Sequence, residues 1–289
     1  MITAKKSLGQ NFLADRQIAR RIVDSVRPQP GDLIIEIGPG TGALTGLLLE
    51  ASPYLLAIEI DQRLIEELRR SFAADRVAII EADAMGVDWN ALLDSASEGW
   101  RTATHTDGRP RIRVVANLPY YISTPIIERL MRLGDRLFDM TLMLQSEVVE
   151  RIASPPGSRD YGYLSVLVQY HCRAAKLFDV PASAFRPRPK VQSAILRLTV
   201  REQPAVDVTD EARFFALVRA AFAQRRKTIA NNLKAARSAL GITNEIAVVL
   251  ERAGINPQRR AETLSLDEFA ALDQALHKEG GKTTGGTSL

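Results

Sequence analysis

Asp32-Leu33-Ile34-Ile35-Glu36-Ile37-Gly38-Pro39-Gly40-Thr41-Gly42 is the stretch that decides the fold class. It reads as a short strand that runs into glycines, with a helix opening beyond them. Glycine lets the backbone turn sharply and approach a ligand closely at the carboxyl end of a parallel strand. Working outward, short β-branched runs alternate with helical patterns, the signature of a parallel sheet with crossover helices. Leu55–Glu59 reads as a second strand, followed by a charged helix over Arg63–Ser71. Val77–Ile80, Val114–Ala116 and Met140–Leu144 are further strands. Ser123-Thr124-Pro125 predicts a helix start, with a hydroxyl cap and proline in the first turn. Residues 94–110 are polar and contain Gly and Ser, and read as a surface loop. The fold class is α/β.

The second half changes character. Leu177–Val180 and Ala194–Val200 read as closing strands around Phe185-Arg186-Pro187-Arg188-Pro189-Lys190, whose prolines forbid a helix. After Gln203-Pro204 the pattern is helical over Asp210–Ala223, Thr228–Ala239, Thr243–Ala253 and Ser265–His277. The expected organisation is a catalytic domain over 1–203, a small all-helical domain over 204–279 and a disordered Gly/Thr-rich tail over 280–289.

At 289 residues the chain can hold one large and one small core. The net charge of +4 permits a nucleic-acid partner without demanding one, so the placement of the charges has to decide. The single cysteine, Cys172, excludes an internal disulfide and a cysteine metal cluster. His105, His171 and His277 have no ligand spacing, and no metal is expected. There is no apolar run of ~18 residues and no apolar stretch behind Met1. A cytoplasmic monomer that does not engage a membrane is the expectation.

The glycine loop alone leaves two cofactors open. Ala43 completes a G-x-G-x-x-A pattern, so a dinucleotide-binding dehydrogenase competes, as does a purely structural turn. Glu59, at the end of the second strand, suits ribose hydroxyls of either cofactor. Asp83, just past the third strand, suits an adenine amino group. Asn117-Leu118-Pro119-Tyr120 then breaks the tie. The exocyclic amine of adenine is a poor nucleophile because its lone pair is delocalised into the ring. The Asn117 side-chain carbonyl and the Leu118 backbone carbonyl can accept its two N–H groups and free the lone pair for attack on a sulfonium methyl. Pro119 keeps the turn rigid, and Tyr120 can stack on a flipped base. Hydride transfer has no use for this set; a plain strand-ending turn is the bland alternative.

These residues, with Lys6-Ser7-Leu8-Gly9-Gln10-Asn11-Phe12-Leu13, Phe185–Ser193 and Arg225-Arg226-Lys227-Thr228, make the chain resemble the KsgA/RsmA family of small-subunit ribosomal RNA adenine dimethyltransferases over nearly its whole length. The resemblance implies a Rossmann-like S-adenosylmethionine methyltransferase fold with a helical C-terminal domain. It implies transfer of methyl groups to N6 of two adjacent adenosines in a hairpin near the 3′ end of small-subunit ribosomal RNA, with a role in small-subunit biogenesis. It also implies that Asn11, Leu13, Gly38, Glu59, Asp83 and Asn117 bind the cofactor; Gly40 belongs to the same loop. The partners implied are the small ribosomal subunit and its RNA. A large-subunit relative of the macrolide-resistance type shares the motifs, and a non-catalytic assembly factor is the third reading.

Phe185, ahead of the rigid Pro-x-Pro stretch, suits the second wall of a base sandwich with Tyr120, or else a place in the core. Arg186, Arg188 and Lys190 beside it are candidates for phosphates. Arg225, Arg226 and Lys227 form another basic cluster, for which a solvated helix face is the alternative. Lys5 and Lys6 are a third basic segment. Cys172 lies away from every motif and reads as a core residue, which argues against chemistry at a pyrimidine carbon.

Overall fold

The computed structural model describes residues 2–5, 8–52, 54–105 and 109–277. Lys6 and Ser7, positions 106–108 of the polar stretch, and the 280–289 tail lie outside the described residues. In chain order the elements are β1 (Phe12–Leu13), α1 (Arg16–Val26), β2 (Asp32–Ile37), α2 (Thr45–Ala51), β3 (Leu55–Glu59), α3 (Gln62–Ser71), β4 (Val77–Glu81) and α4 (Trp89–Thr104). They continue with β5 (Arg111–Asn117), α5 (Ser123–Met131), β6 (Asp139–Gln145), α6 (Ser146–Ala153), α7 (Tyr163–His171), β7 (Cys172–Val180), β8 (Phe185–Arg186) and β9 (Ser193–Val200). Four more helices follow: α8 (Glu211–Ala221), α9 (Ile229–Ala235), α10 (Ile246–Arg252) and α11 (Leu266–His277).

The chain divides into two compact units. One comprises the described residues up to Glu150 together with Cys172–Glu202; the other comprises Arg151–His171 and the described residues from Gln203 onward. The first unit is an α/β fold around a seven-stranded sheet of order β4-β3-β2-β5-β6-β9-β7. The pairs among β2 to β6 are all parallel, and β9 runs antiparallel to both β6 and β7. All six residues of β2 are buried, because helices cover a parallel sheet on both faces. The strand order reverses between β2 and β5, and ligands of such sheets bind beyond the carboxyl ends of the strands at that reversal. Ile37 lies beside Ile58 and Ala116, and Glu59 beside Glu81, so the motifs that follow these strands share one edge. At the other edge Arg113 reaches from β5 to Asp32, Asp139 and the Val26 carbonyl, clamping three strands under the end of α1.

Two local expectations are corrected. The stretch at 94–110 is for the most part helix, since α4 runs from Trp89 to Thr104. Asp88 caps it by accepting from the amides of Asn90 and Ala91, and Trp89, Leu93, Ala96 and Trp100 form its buried stripe. Ser123 does not cap α5. It is the first helical residue, and its hydroxyl donates back to the Tyr120 carbonyl at 2.9 Å.

The second unit is helical. Tyr161, Val166 and Tyr170 share a core with Phe214 and Leu217 of α8, Leu233 of α9, Leu250 of α10 and Phe269 of α11. The sequence placed all helices of this body after residue 204; Arg151–His171 joins it from inside the first unit's sequence. Among the described residues no helix is long and apolar enough to cross a membrane.

Candidate active site

The carboxyl edge of the sheet opens into a cleft of about 1210 Å³, mouth included, at the reversal point. Six separate pieces of chain meet there: the Leu8–Leu13 segment, the glycine loop, the end of β3, the end of β4, the Asn117–Ile122 turn, and Phe185. The N-terminal piece arrives through a two-stranded antiparallel pair in which Phe12 faces Arg186 and Leu13 faces Phe185. This pair is why two motifs more than 170 residues apart line one site.

At the cofactor end, Gly38, Gly40 and Gly42 all have positive φ (68°, 60° and 80°), the region that L side chains avoid. The Glu59 carboxylate accepts from the amides of Gly40 (3.2 Å), Ile60 (2.9 Å) and Asp61 (3.0 Å), so it braces the glycine loop from the end of β3. Burial pushes its carboxyl above the ordinary range while these three donors oppose the shift. Glu36 also lines the cleft; burial raises it to about 7, against a hydrogen bond from the Thr45 hydroxyl at 2.6 Å. Asp83 is exposed, with one oxygen held by the Met85 amide at 2.8 Å.

This donor set discriminates between the two cofactors. A pyrophosphate at the glycine loop would meet two buried acids, and the helix that would stabilise it begins only at Thr45, with no side-chain cap. A ligand bearing ribose hydroxyls, an adenine amine and positive charge suits Glu59, Asp83 and Glu36. S-adenosylmethionine has these groups, and the residues present fit it.

At the reacting end, the Asn117 side-chain amide donates to the Asn11 carbonyl at 3.2 Å. One of its two N–H groups is engaged there, which orients the amide; Asn117 lines the cleft, and its side-chain oxygen accepts no hydrogen bond among the described residues. Asn11 is held in turn by donating to the Gly9 carbonyl at 3.1 Å. The Leu118 amide donates to the Met143 carbonyl (3.3 Å), which fixes the turn to the end of β6. The Tyr120 hydroxyl bonds to the buried Ser193 hydroxyl at 2.9 Å, fixing the ring to the start of β9.

Asn11, Leu13, Gly38, Gly40, Glu59, Asp83, Asn117, Leu118, Tyr120 and Phe185 thus line one cleft. Phe185 does so from the core: it is 1% exposed and packed among apolar side chains, because β8 turns it inward against Leu13. Arg186, Arg188 and Lys190 are exposed and lie outside this cleft. The Arg186 guanidinium donates to the Ser183 and Phe185 carbonyls, so part of its capacity goes to its own loop. Arg188 and Lys190 line a separate depression together with Ser183 and Gln192. Arg225, Arg226 and Lys227 are exposed on the α8–α9 connection of the second unit, where Arg225 pairs with Glu262 at 3.1 Å. Lys5 is spoken for as well, since its ammonium contacts Asp61 at 3.1 Å. Cys172 is 1% exposed beside Met131, and burial pushes its thiol to about 12, which removes it as a nucleophile.

Sequence reasoning missed three parts of the site. Gln10 donates to Asp61 at 3.1 Å, joining Lys5 in pinning the N-terminal segment to α3. Glu36 looked like an ordinary strand residue, although a charge inside an apolar run was a usable signal. Tyr121, next to Tyr120 in the same turn, is 61% exposed at the cleft.

The family model described as ribosomal RNA adenine dimethylase matches residues 1–277. The ribosomal RNA small subunit methyltransferase A of Shouchella clausii is 47% identical over 278 residues, covering 95% of this chain and 90% of that protein. The protein of the same name from Moorella thermoacetica is 44% identical over 277 residues, covering 95% and 93%. A crystal structure of a dimethyladenosine transferase from Plasmodium falciparum superposes with a TM-score of 0.75 at 25% identity, covering 93% of this chain and 98% of that one.

Proposed function

The chain belongs to the ribosomal RNA adenine dimethylase family, and from that premise we propose that it methylates N6 of two adjacent adenosines in small-subunit ribosomal RNA. The observation that carries the reading is the Asn117 amide, whose nitrogen is tethered to the Asn11 carbonyl so that its oxygen is the end left to accept. Bound S-adenosylmethionine supplies a methyl group on a sulfonium, open to in-line displacement by an amine lone pair. Glu59 accepts from ribose hydroxyls and Asp83 from the adenine amine of the cofactor. Gly38 and Gly40 let the backbone come close to it, and Asn11 and Leu13 cover it from the N-terminal side. Asn117 and the Leu118 carbonyl accept the two N–H groups of the target amine and draw its nitrogen towards tetrahedral geometry. Tyr120 stacks on the flipped base, and Phe185 closes the wall behind it. The attacking group is an amine made nucleophilic by its acceptors, so the reaction calls for no metal.

Arg186, Arg188, Lys190, Arg226 and Lys227 neutralise RNA phosphates, with Arg225 contributing from its pair with Glu262. The protein works as a cytoplasmic monomer on the small subunit, with the first unit carrying the catalytic site and the helical unit, Arg151–His171 with the described residues from Gln203 onward, holding the ribosomal substrate. The test is incubation with labelled S-adenosylmethionine and small subunits that lack the modification, followed by nucleoside analysis and mapping. N6,N6-dimethyladenosine at two neighbouring positions is expected. Label in 5-methylcytidine, or transfer only to large-subunit RNA, would sink the reading.

A further inference from the structure

We propose that Tyr121 is a substrate-positioning residue, the stacking platform for the nucleotide beside the one whose base enters the cleft. The two consecutive tyrosines of the Asn117–Ile122 turn are held in opposite ways. Tyr120 is half-buried with its hydroxyl tied to Ser193, whereas Tyr121 is 61% exposed and its hydroxyl has no hydrogen-bond partner among the described residues. Exposure does not leave the ring loose. One side lies against Gly9, where a methyl group would come within 3.2 Å of the ring atoms Cδ1 and Cε1 and 3.6 Å of Pro119 Cβ. Gly9 itself has a φ of 59°, so its backbone conformation and the ring above it both call for glycine. An aromatic ring at the rim of a cleft, braced on one side and wet on the other, is built to receive a flat apolar partner. The side against Gly9 is already shielded from water, and the rest of the ring is open to a base.

This inference rests on the reading of the site as an RNA adenine methyltransferase. While one adenosine is drawn into the cleft, the stack it leaves is broken, and its neighbour needs a new face to lie on. Tyr120 serves the base inside and Tyr121 the base outside. Base–aromatic stacking is worth roughly 1–3 kcal/mol per base, about 5- to 150-fold in RNA capture.

The experiment compares Tyr121→Ala, Tyr121→Leu, Tyr121→Phe and Tyr121→Trp on unmethylated small subunits. It records the subunit concentration at half-maximal rate, the single-turnover rate at saturation, and cofactor affinity by calorimetry. Ala and Leu are expected to raise the half-saturating subunit concentration about 5- to 150-fold with cofactor affinity unchanged, while Phe and Trp restore the parent value. Leu still covers Gly9, so it keeps the test valid if Ala disturbs the turn. The proposal is overturned if Ala and Leu stay within about twofold of the parent, or if Phe behaves like Leu. A parent enzyme that makes no N6,N6-dimethyladenosine would instead overturn the functional reading beneath it.

Discussion

Asn117 shows what a single side chain contributes when both ends of its amide are assigned. One N–H of its nitrogen goes to the Asn11 carbonyl at 3.2 Å, so rotation of the amide would cost that bond and present a donor where an acceptor is needed. An interaction that strengthens as charge develops in the transition state acts on turnover more than on binding. Asn117→Ala is therefore expected to slow single-turnover methylation by roughly a hundred- to a thousandfold, with RNA binding retained; a rate within about threefold of the parent contradicts the mechanism. Glu59 carries a second kind of load. Removing it deletes the acceptor proposed for the ribose and also strands the amides of Gly40, Ile60 and Asp61. Glu59→Ala should weaken cofactor binding by about 1.5–3 kcal/mol in calorimetry and lower the melting temperature of the free protein as well. A variant with full cofactor affinity would remove Glu59 from the site. The acceptor roles were legible in the sequence because chemistry demands them. The bracing roles were not, because nothing local in Glu59 says which amides it will meet.

Helix α4 marks the limit of composition as a guide to elements. Ser95, Ser97, Glu98 and Gly99 read as loop, yet the spacing Trp89, Leu93, Ala96, Trp100 puts four buried side chains on one face. Gly99, the strongest loop signal, is there because a side chain at that position would run into the Tyr54 hydroxyl. Trp100 fills the space against the sheet, and its indole N–H donates to the Asp32 carbonyl at 3.1 Å. Trp100→Ala should cost about 3–5 kcal/mol of stability by leaving a cavity and an unpaired carbonyl at the edge of β2. Chemical denaturation measures this directly, and a loss below about 1 kcal/mol would mean that α4 is no part of the cooperative core. The parallel strands were easier to read, since burial on both faces writes itself as aliphatic runs, Leu33–Ile35 in β2 and Leu55–Ile58 in β3. The β1–β8 pair was invisible beforehand. Two-residue strands carry no periodicity, and only the fold brings Leu13 opposite Phe185.

Across the whole molecule, the feature hardest to read was the second unit's use of Arg151–His171, because hydrophobic pattern identifies a helix without naming the core it joins. A chain ending at residue 203 keeps Tyr161, Val166 and Tyr170 but loses the apolar side chains of α8 to α11 that share their core. It is expected to bind hydrophobic dye and aggregate; a soluble, dye-negative fragment would contradict the division. Two buried groups, one in each unit, respond to pH with opposite sign. In the second unit, burial against Phe215 lowers His171 to about 4, even with Glu211 at 3.5 Å. The unfolded chain, near 6.5, then binds the proton more readily, so His171's contribution is full above about pH 6.5 and is lost as pH falls towards 4. In the first unit Glu36 is raised to about 7, so its contribution is full below about pH 4.5 and is lost as pH rises through 7. Each swing has a ceiling of about 3 kcal/mol from its shift. Relative to the parent, His171→Phe should therefore gain stability on going from pH 7 to pH 5, and Glu36→Gln on going from pH 5 to pH 7. Urea midpoints at the two pH values give both differences. Groups elsewhere, including the raised Asp139, cancel because every variant shares them. If both variants shift in the same direction, at least one of these buried groups titrates at its ordinary value, and the burial argument for that group fails.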